Sequence, residues 1–140
     1  MSEAGIPVGV MTAPIIPQLT DKDLEAILDA ASANGARYAG WTLVRLPHEV
    51  KDLFRDWLAQ HYPLRAEHVM SVIQQMRGGR DNDPQFGSRM RGEGIFADLI
   101  SRRFDIACQR LGLNRERAPM DISRFRPPRT EAQRAQLALF

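Results

Sequence analysis

Arg77, Arg80, Arg89 and Arg91 crowd around the glycine-rich stretch 78–94 (GGRDNDPQFGSRMRGEG), in which Met-Arg-Gly recurs at 76–78 and 90–92. Guanidinium forks fit phosphate oxygens, and Phe86, the only aromatic residue of the stretch, offers a ring on which a base can stack. The combination suits single-stranded or damaged nucleic acid, although Asp81, Asp83 and Glu93 dilute the charge. Arginine supplies 17 of the 19 basic residues, with only Lys22 and Lys51 besides. Two readings of that bias stand: the coding bias of a GC-rich genome, or phosphate contact. The charge is also uneven, with 6 basic and 9 acidic side chains in residues 1–70 against 13 and 8 in residues 71–140.

Other reactive residue types are sparse. The single Cys108 excludes an internal disulfide framework and any zinc or iron–sulfur site built from this chain's thiolates alone. His61 and His68 are separated by Pro63, which interrupts a shared helix, so a metal pair is not expected. Asp81-Asn82-Asp83 opens like a calcium loop, but Pro84 and the missing glycine and distal glutamate break the pattern. Gly78-Gly79 and Gly92-Glu93-Gly94 do not follow strands, and they read as helix punctuation, not phosphate cradles. The last five residues, Gln136-Leu137-Ala138-Leu139-Phe140, place two large apolar anchors beside a polar handle, beyond Pro127-Pro128 in a polar tail. Exposed anchors on a flexible end favour docking on a partner or folding back onto the domain. The pentapeptide resembles the one by which bacterial replication and repair proteins dock on the polymerase sliding clamp. Ala138 departs from its usual serine or aspartate.

These groups need elements to hold them. Ile6–Thr12 is a short, β-branched apolar run without polar alternation, which predicts a strand buried on both faces, as in a parallel sheet. The prolines of Ala13–Pro17 predict an extended loop. Thr20 reads as an N-cap for a helix whose apolar face is Leu24, Ile27, Leu28 and Ala31, closed at Asn34-Gly35. Tyr38–Leu46 reads as a second buried strand, and strand–helix–strand implies parallel pairing with a right-handed crossover. A helix then starts after Pro47 with the stripe Val50, Leu53, Phe54, Trp57 and Leu58, expected in the core. Another spans about 65–77, with Val69, Val72, Ile73 and Met76 on one face. A last one covers 95–111, with Phe96, Leu99, Ile100, Phe104, Ala107 and Leu111 inward.

The fold class is therefore α/β: two parallel strands, a helical C-terminal region and a flexible tail. The divisions fall at 1–47, 48–126 and 127–140. Apolar residues at 44% and charged residues at 26% make a globular composition. The longest uncharged run, 4–20, is broken by Pro7, Pro14 and Pro17, so no membrane span is expected. Glu3 stands where a secretory signal needs positive charge, which points to a cytoplasmic protein with a reduced Cys108. Two parallel strands do not make a stable sheet alone, since both edges stay unpaired. The expectation is a C-terminal piece of a larger α/β protein, or a chain that completes its sheet by association.

Residues 4–49, AGIPVGVMTAPIIPQLTD followed by a helix and GARYAGWTLVRLPHEV, resemble the late βα units of a radical S-adenosylmethionine (SAM) enzyme. The likeness is to the spore photoproduct lyase-like, DNA repair photolyase-like branch. MRGGRDNDPQFGSRMRGEG and the helix ending in CQRLGLNR resemble its C-terminal region, so the likeness covers almost the whole chain. It implies the last strands of a partial (β/α) barrel, a [4Fe–4S] cluster, reductive SAM cleavage and a nucleic-acid substrate. The family's CxxxCxxC motif is absent, so this chain does not ligate the cluster, supplies no catalytic or metal-ligating residue and is expected to be inactive alone. In such a barrel the working face is the C-terminal end of the strands. There the resemblance implies that backbone groups near Met11, Thr12 and Ala13 contact the adenine or ribose of SAM. Arg45 would hold a carboxylate or phosphate by a forked pair, or else a neighbouring acid. His48 and Glu49 lie beside it and equally make a helix start. The alternative is a small non-catalytic module that binds nucleic acid or the sliding clamp.

Overall fold

The computed structural model describes residues 2–116, 122, 123 and 125–127. Two parallel strands, β1 (Gly9–Ile15) and β2 (Tyr38–Leu43), are joined through α1 (Leu24–Ala33). Then follow α2 (Val50–His61), α3 (Ala66–Gln75) and α4 (Ile95–Leu111). Single 3-10 turns lie at Ser2–Ala4 and Asp21–Asp23. The fold class is α/β as expected, and the segment 78–94 is irregular apart from turns.

The strands pair Gly9 with Tyr38, Val10 with Ala39, Met11 with Gly40 and Thr12 with Trp41, then slip before Ile15 meets Leu43. β1 begins later than the apolar run suggests and continues through Pro14, so Ala13–Ile15 is strand, not loop. Proline is tolerated there because β1 is an edge strand whose outer N–H row has no ladder to complete.

Burial on β1 alternates. Thr12 and Ile15 are buried, while Gly9, Met11 and Ala13 are exposed, Met11 at 61%. The expectation of a strand covered on both faces is corrected accordingly: helices cover one face of the sheet, and the other is open. On the covered face Ile15, Trp41 and Leu43 share a core with Leu24 and Leu28 of α1 and with Ile100, Phe104, Ala107 and Cys108 of α4. A second cluster joins Val44 and Leu46 to Leu58 of α2 and to Val69, Met70 and Ile73 of α3. Val72 and Met76 belong to the first cluster, so α3 and its C-terminal end touch both, and the 1–47 and 48–126 segments share a core.

Three helix details differ from the periodicity. Thr20 makes no side-chain cap; its hydroxyl instead accepts a hydrogen bond from the Ile16 N–H at 2.8 Å, bracing the loop. On α2 only Leu58 is fully buried; Leu53 and Val50 are exposed, and Trp57 lies at the surface among the rings of Phe54, His61 and Tyr62. Among the described residues no further element covers that side, so the apolar stripe is wider than the face it packs against. On α4, Leu99 is exposed while Ala97 and Cys108 are buried, because the closely packed sheet selects small residues at the contact.

The outer edge of β2 is capped by irregular chain. Leu43 N–H donates to the Met90 carbonyl at 2.8 Å, and the Asn114 amide pairs with Ala39. β1 has no second neighbour among the described residues.

Candidate functional site at the C-terminal end of the sheet

Ligands of parallel α/β sheets gather where the strands end. Met11 and Ala13 lie on the open face, and the Met11 thioether crosses Gly40, where an added Cβ would stand 2.8 Å from its methyl carbon. Thr12 is turned the other way; it is buried, and its hydroxyl donates to the Gly40 carbonyl at 2.9 Å. Met11 and Ala13 thus turn their side chains to that face and Thr12 does not.

Arg77, from a separate sequence segment, reaches the end of β2 next to Arg45 in the chain. Arg77 is 3% exposed and does not project from the loop as a surface contact. It donates through one terminal nitrogen to the Val44 carbonyl at 2.9 Å and through the other to the Arg89 carbonyl at 2.7 Å, pinning the loop to the end of β2. Its Nε is buried without a partner, and so is the Nε of Arg45. Burial lowers the Arg77 pKa from its ordinary value; the Asp83 carboxylate opposes that shift, and the Arg45 charge adds to it. Arg45 is partly buried and has neither a hydrogen bond nor an ion pair among the described residues.

The remaining arginines of the loop divide by role. Arg91 lies over the indole ring of the buried Trp41, 4.4 Å from its centroid, and Arg89 over the ring of the exposed Phe86 at 5.1 Å. Arg80 is exposed beside a shallow polar cleft lined also by Leu46, His48, Lys51 and Asn82. His48 takes a left-handed backbone, φ 46°, a conformation uncommon for a side chain of its size. Asn82 accepts from the Leu46 N–H, and Asp81 is held by Gln74 and by both contacts of Arg55. Asp83 is buried; its carboxylate accepts from the Ser88 hydroxyl and the Gln85 N–H, which hold its pKa below the ordinary carboxylate value.

Cys108 is buried on α4, and burial, with the nearby Asp105 charge, pushes its thiol pKa up. A lone buried thiol of that kind does not fit a [4Fe–4S] cluster, which needs several thiolates. No group of His, Cys, Asp and Glu able to hold a metal ion occurs among the described residues. No helix among them is long and apolar enough to cross a membrane. Gln136, Leu137, Leu139 and Phe140 lie outside the described residues.

The inward turn of Arg77 is invisible in sequence, because nothing in residue spacing says that a loop arginine is buried. Asn114 was equally illegible; its sole hint is its place just after Gly112-Leu113, where the chain leaves α4 and an asparagine tolerates positive φ. Comparison with protein-family models, with curated proteins and with solved structures finds no match.

Proposed function

We propose that this chain is the C-terminal part of a radical SAM enzyme of the photolyase-like branch, acting in DNA repair or nucleic-acid modification. The observation that carries the reading is the state of β1. It is a parallel strand with no second neighbour among the described residues, and one of its faces is uncovered. Parallel strands are generally covered on both faces, and in a closed barrel each is paired on both edges, so the part of β1 before Pro14 has the form of a stave able to take a preceding one. Exposed Ile27 on α1, expected in the core, suits a helix that borders a further βα unit.

In that assembly the open face, where Ala13 is exposed and the Met11 thioether lies over Gly40, would form one wall of the SAM pocket. Bound SAM and the cluster would supply radical chemistry; the cluster thiolates would come from elsewhere in the parent. This chain's share is to wall the pocket and to present Arg45 at its rim.

Sequencing the genomic DNA upstream of Met1 tests the reading. A continuous frame carrying CxxxCxxC is expected. The longer protein, reconstituted anaerobically, should then bind iron and cleave SAM. A frame closed without such a motif overturns the proposal.

The exposed Phe86–Arg89 pair favours the second reading, a small non-catalytic nucleic-acid-binding module. That module would also use the clamp-like pentapeptide at 136–140.

A further inference from the structure

Phe86 stands out of the loop with 87% of its surface exposed, and it belongs to neither core cluster. Single apolar residues are common on protein surfaces, so the exposure alone identifies nothing. The setting of the ring is more specific. Asp83 is buried, and its carboxylate accepts from the Gln85 N–H and the Ser88 hydroxyl, one on each side of Phe86 in the chain. The Arg89 N–H closes a turn on the Gln85 carbonyl at 3.1 Å, and the Gly92 N–H reaches the Ser88 carbonyl at 2.7 Å. Arg77, also buried, donates to the Arg89 carbonyl at 2.7 Å and ties the turn to the end of β2 through the Val44 carbonyl. Two buried charged side chains thus brace the backbone that presents one exposed ring. A loop ordered in advance meets a ligand without losing its conformational entropy on binding.

The Arg89 guanidinium carbon lies over the Phe86 ring, 5.1 Å from its centroid. No other ring or cation stands against Phe86 among the described residues. Among them Arg89 has no carboxylate within ion-pair distance. The turn therefore offers an open aromatic face beside a guanidinium that no acid holds.

We infer that Phe86 is a stacking platform for one unpaired base, with Arg89 pairing the adjoining phosphate and with Asp83 and Arg77 as positioning residues that fix the turn. Stacking needs a ligand with a flat exposed face, and Arg89 needs an anionic oxygen. A nucleotide in a single strand supplies both at neighbouring positions. A duplex keeps its base faces inside the stack, so the platform selects single-stranded or extruded bases. An apolar peptide would answer the ring and leave the guanidinium unanswered. The inference deepens the nucleic-acid reading above, on which it rests, by naming the form of substrate the chain accepts.

Fluorescence anisotropy on the purified full chain reads the binding of a labelled single strand, the matching duplex and an abasic strand of the same length. The single strand should bind more tightly than either. Phe86→Ala should weaken the single strand roughly fivefold or more, down to the level of the abasic strand, and leave the abasic strand unchanged. Phe86→Tyr should keep the affinity. Ser88→Ala, which removes one of the bonds that hold Asp83, should weaken the single strand alone, and Ser88→Thr should restore it. Single-strand binding unchanged in Phe86→Ala overturns the platform, as does an equal loss on the abasic strand or a duplex bound as tightly as the single strand. Full single-strand binding in Ser88→Ala overturns the positioning roles. Binding that is indifferent to Phe86 leaves the nucleic-acid reading standing, whereas a chain that binds none of the three probes ends both, so the two failures are distinguishable.

Discussion

The Asn114 side chain pairs with the Ala39 backbone as a neighbouring strand would: its oxygen accepts from the Ala39 N–H at 2.9 Å and its nitrogen donates to the Ala39 carbonyl at 3.0 Å. The Asn114 N–H adds a bond to the Arg37 carbonyl at 2.9 Å. One residue, in a left-handed conformation at φ 60°, thus closes part of an edge that would otherwise invite another strand. β1 has no equivalent among the described residues, so the two edges differ: that of β2 is capped and that of β1 is not.

Asn114→Ala should lower stability by about 1–3 kcal/mol, since it loses two hydrogen bonds and places a Cβ residue without a local amide at positive φ. Asn114→Gly should lose the hydrogen bonds but relieve the backbone, and fall between. Urea denaturation ranks the three. Equal stability of all three would show that the amide ladder contributes nothing.

Gly92 has φ 74°, and an added Cβ would stand 3.0 Å from both the Leu43 side chain and the Met76 carbonyl. Gly92→Ala should therefore destabilise by about 1–3 kcal/mol through strain and overpacking. Gly87, also at positive φ but with open space around it, should cost less on the same change, from backbone strain alone. Denaturation midpoints of the two variants decide the order.

Arg103 links α4 to the start of α1, with Nε to one Glu25 oxygen at 2.8 Å and a terminal nitrogen to the other at 2.7 Å. That pairing holds the Glu25 pKa below its ordinary value of 4.5. The hydrogen bond from Gln74, then Arg55, lowers Asp81 likewise, and Ser88 lowers Asp83. A carboxylate lowered in the folded state contributes stability that is present above its unfolded value and lost as pH falls through the folded one. Stability should thus be level near neutrality and decline below about pH 4.5 for Glu25, with Asp81 and Asp83 contributing further at lower pH. Glu25→Gln should flatten the upper part of that decline; its effect at neutral pH is held to about 1 kcal/mol because the pair is partly solvated. An unchanged acid profile in Glu25→Gln would remove this account.

Cys108 should resist alkylation in the folded chain and react fully in denaturant, because its thiol is buried and its pKa is raised. Iodoacetamide labelling followed by mass spectrometry measures both. Rapid labelling of the folded chain would mean that α4 does not seat on the sheet as described.

Charge reversal at Arg80 and Arg89 should weaken oligonucleotide binding and flatten its salt dependence, since the exposed Arg80 and the half-buried Arg89 would each release counterions on contact. Separately, a peptide of residues 130–140 should bind the sliding clamp and lose it on Phe140→Ala. Equal binding by both peptides, or by neither, dismisses the clamp partner.

Much of the architecture was legible in residue order. The parallel βαβ unit follows from apolar runs separated by a helix-length segment, and α4 was found to the residue from its 3.6 period and its flanking glycines. Periodicity names the apolar side of an element but not what lies against it. Leu53, Trp57 and Leu99 carry the pattern of core residues and are exposed, because they lie outside the two core clusters formed by the described residues. The shift of β1 into Ala13–Ile15 was hidden for a related reason: proline bars a central strand, and only the tertiary arrangement makes β1 an edge.

Chemistry divides in the same way. Residue types alone excluded a cluster or disulfide made by this chain, because one thiol cannot do either task. They also marked the arginines as the side chains to watch. Which arginine is a pin and which is stacked was decided only in three dimensions, where the bond to the Val44 carbonyl turns Arg77 inward and Arg91 lies over the Trp41 ring. Guanidinium pairing depends on distance through space, and a linear pattern carries no information about that distance.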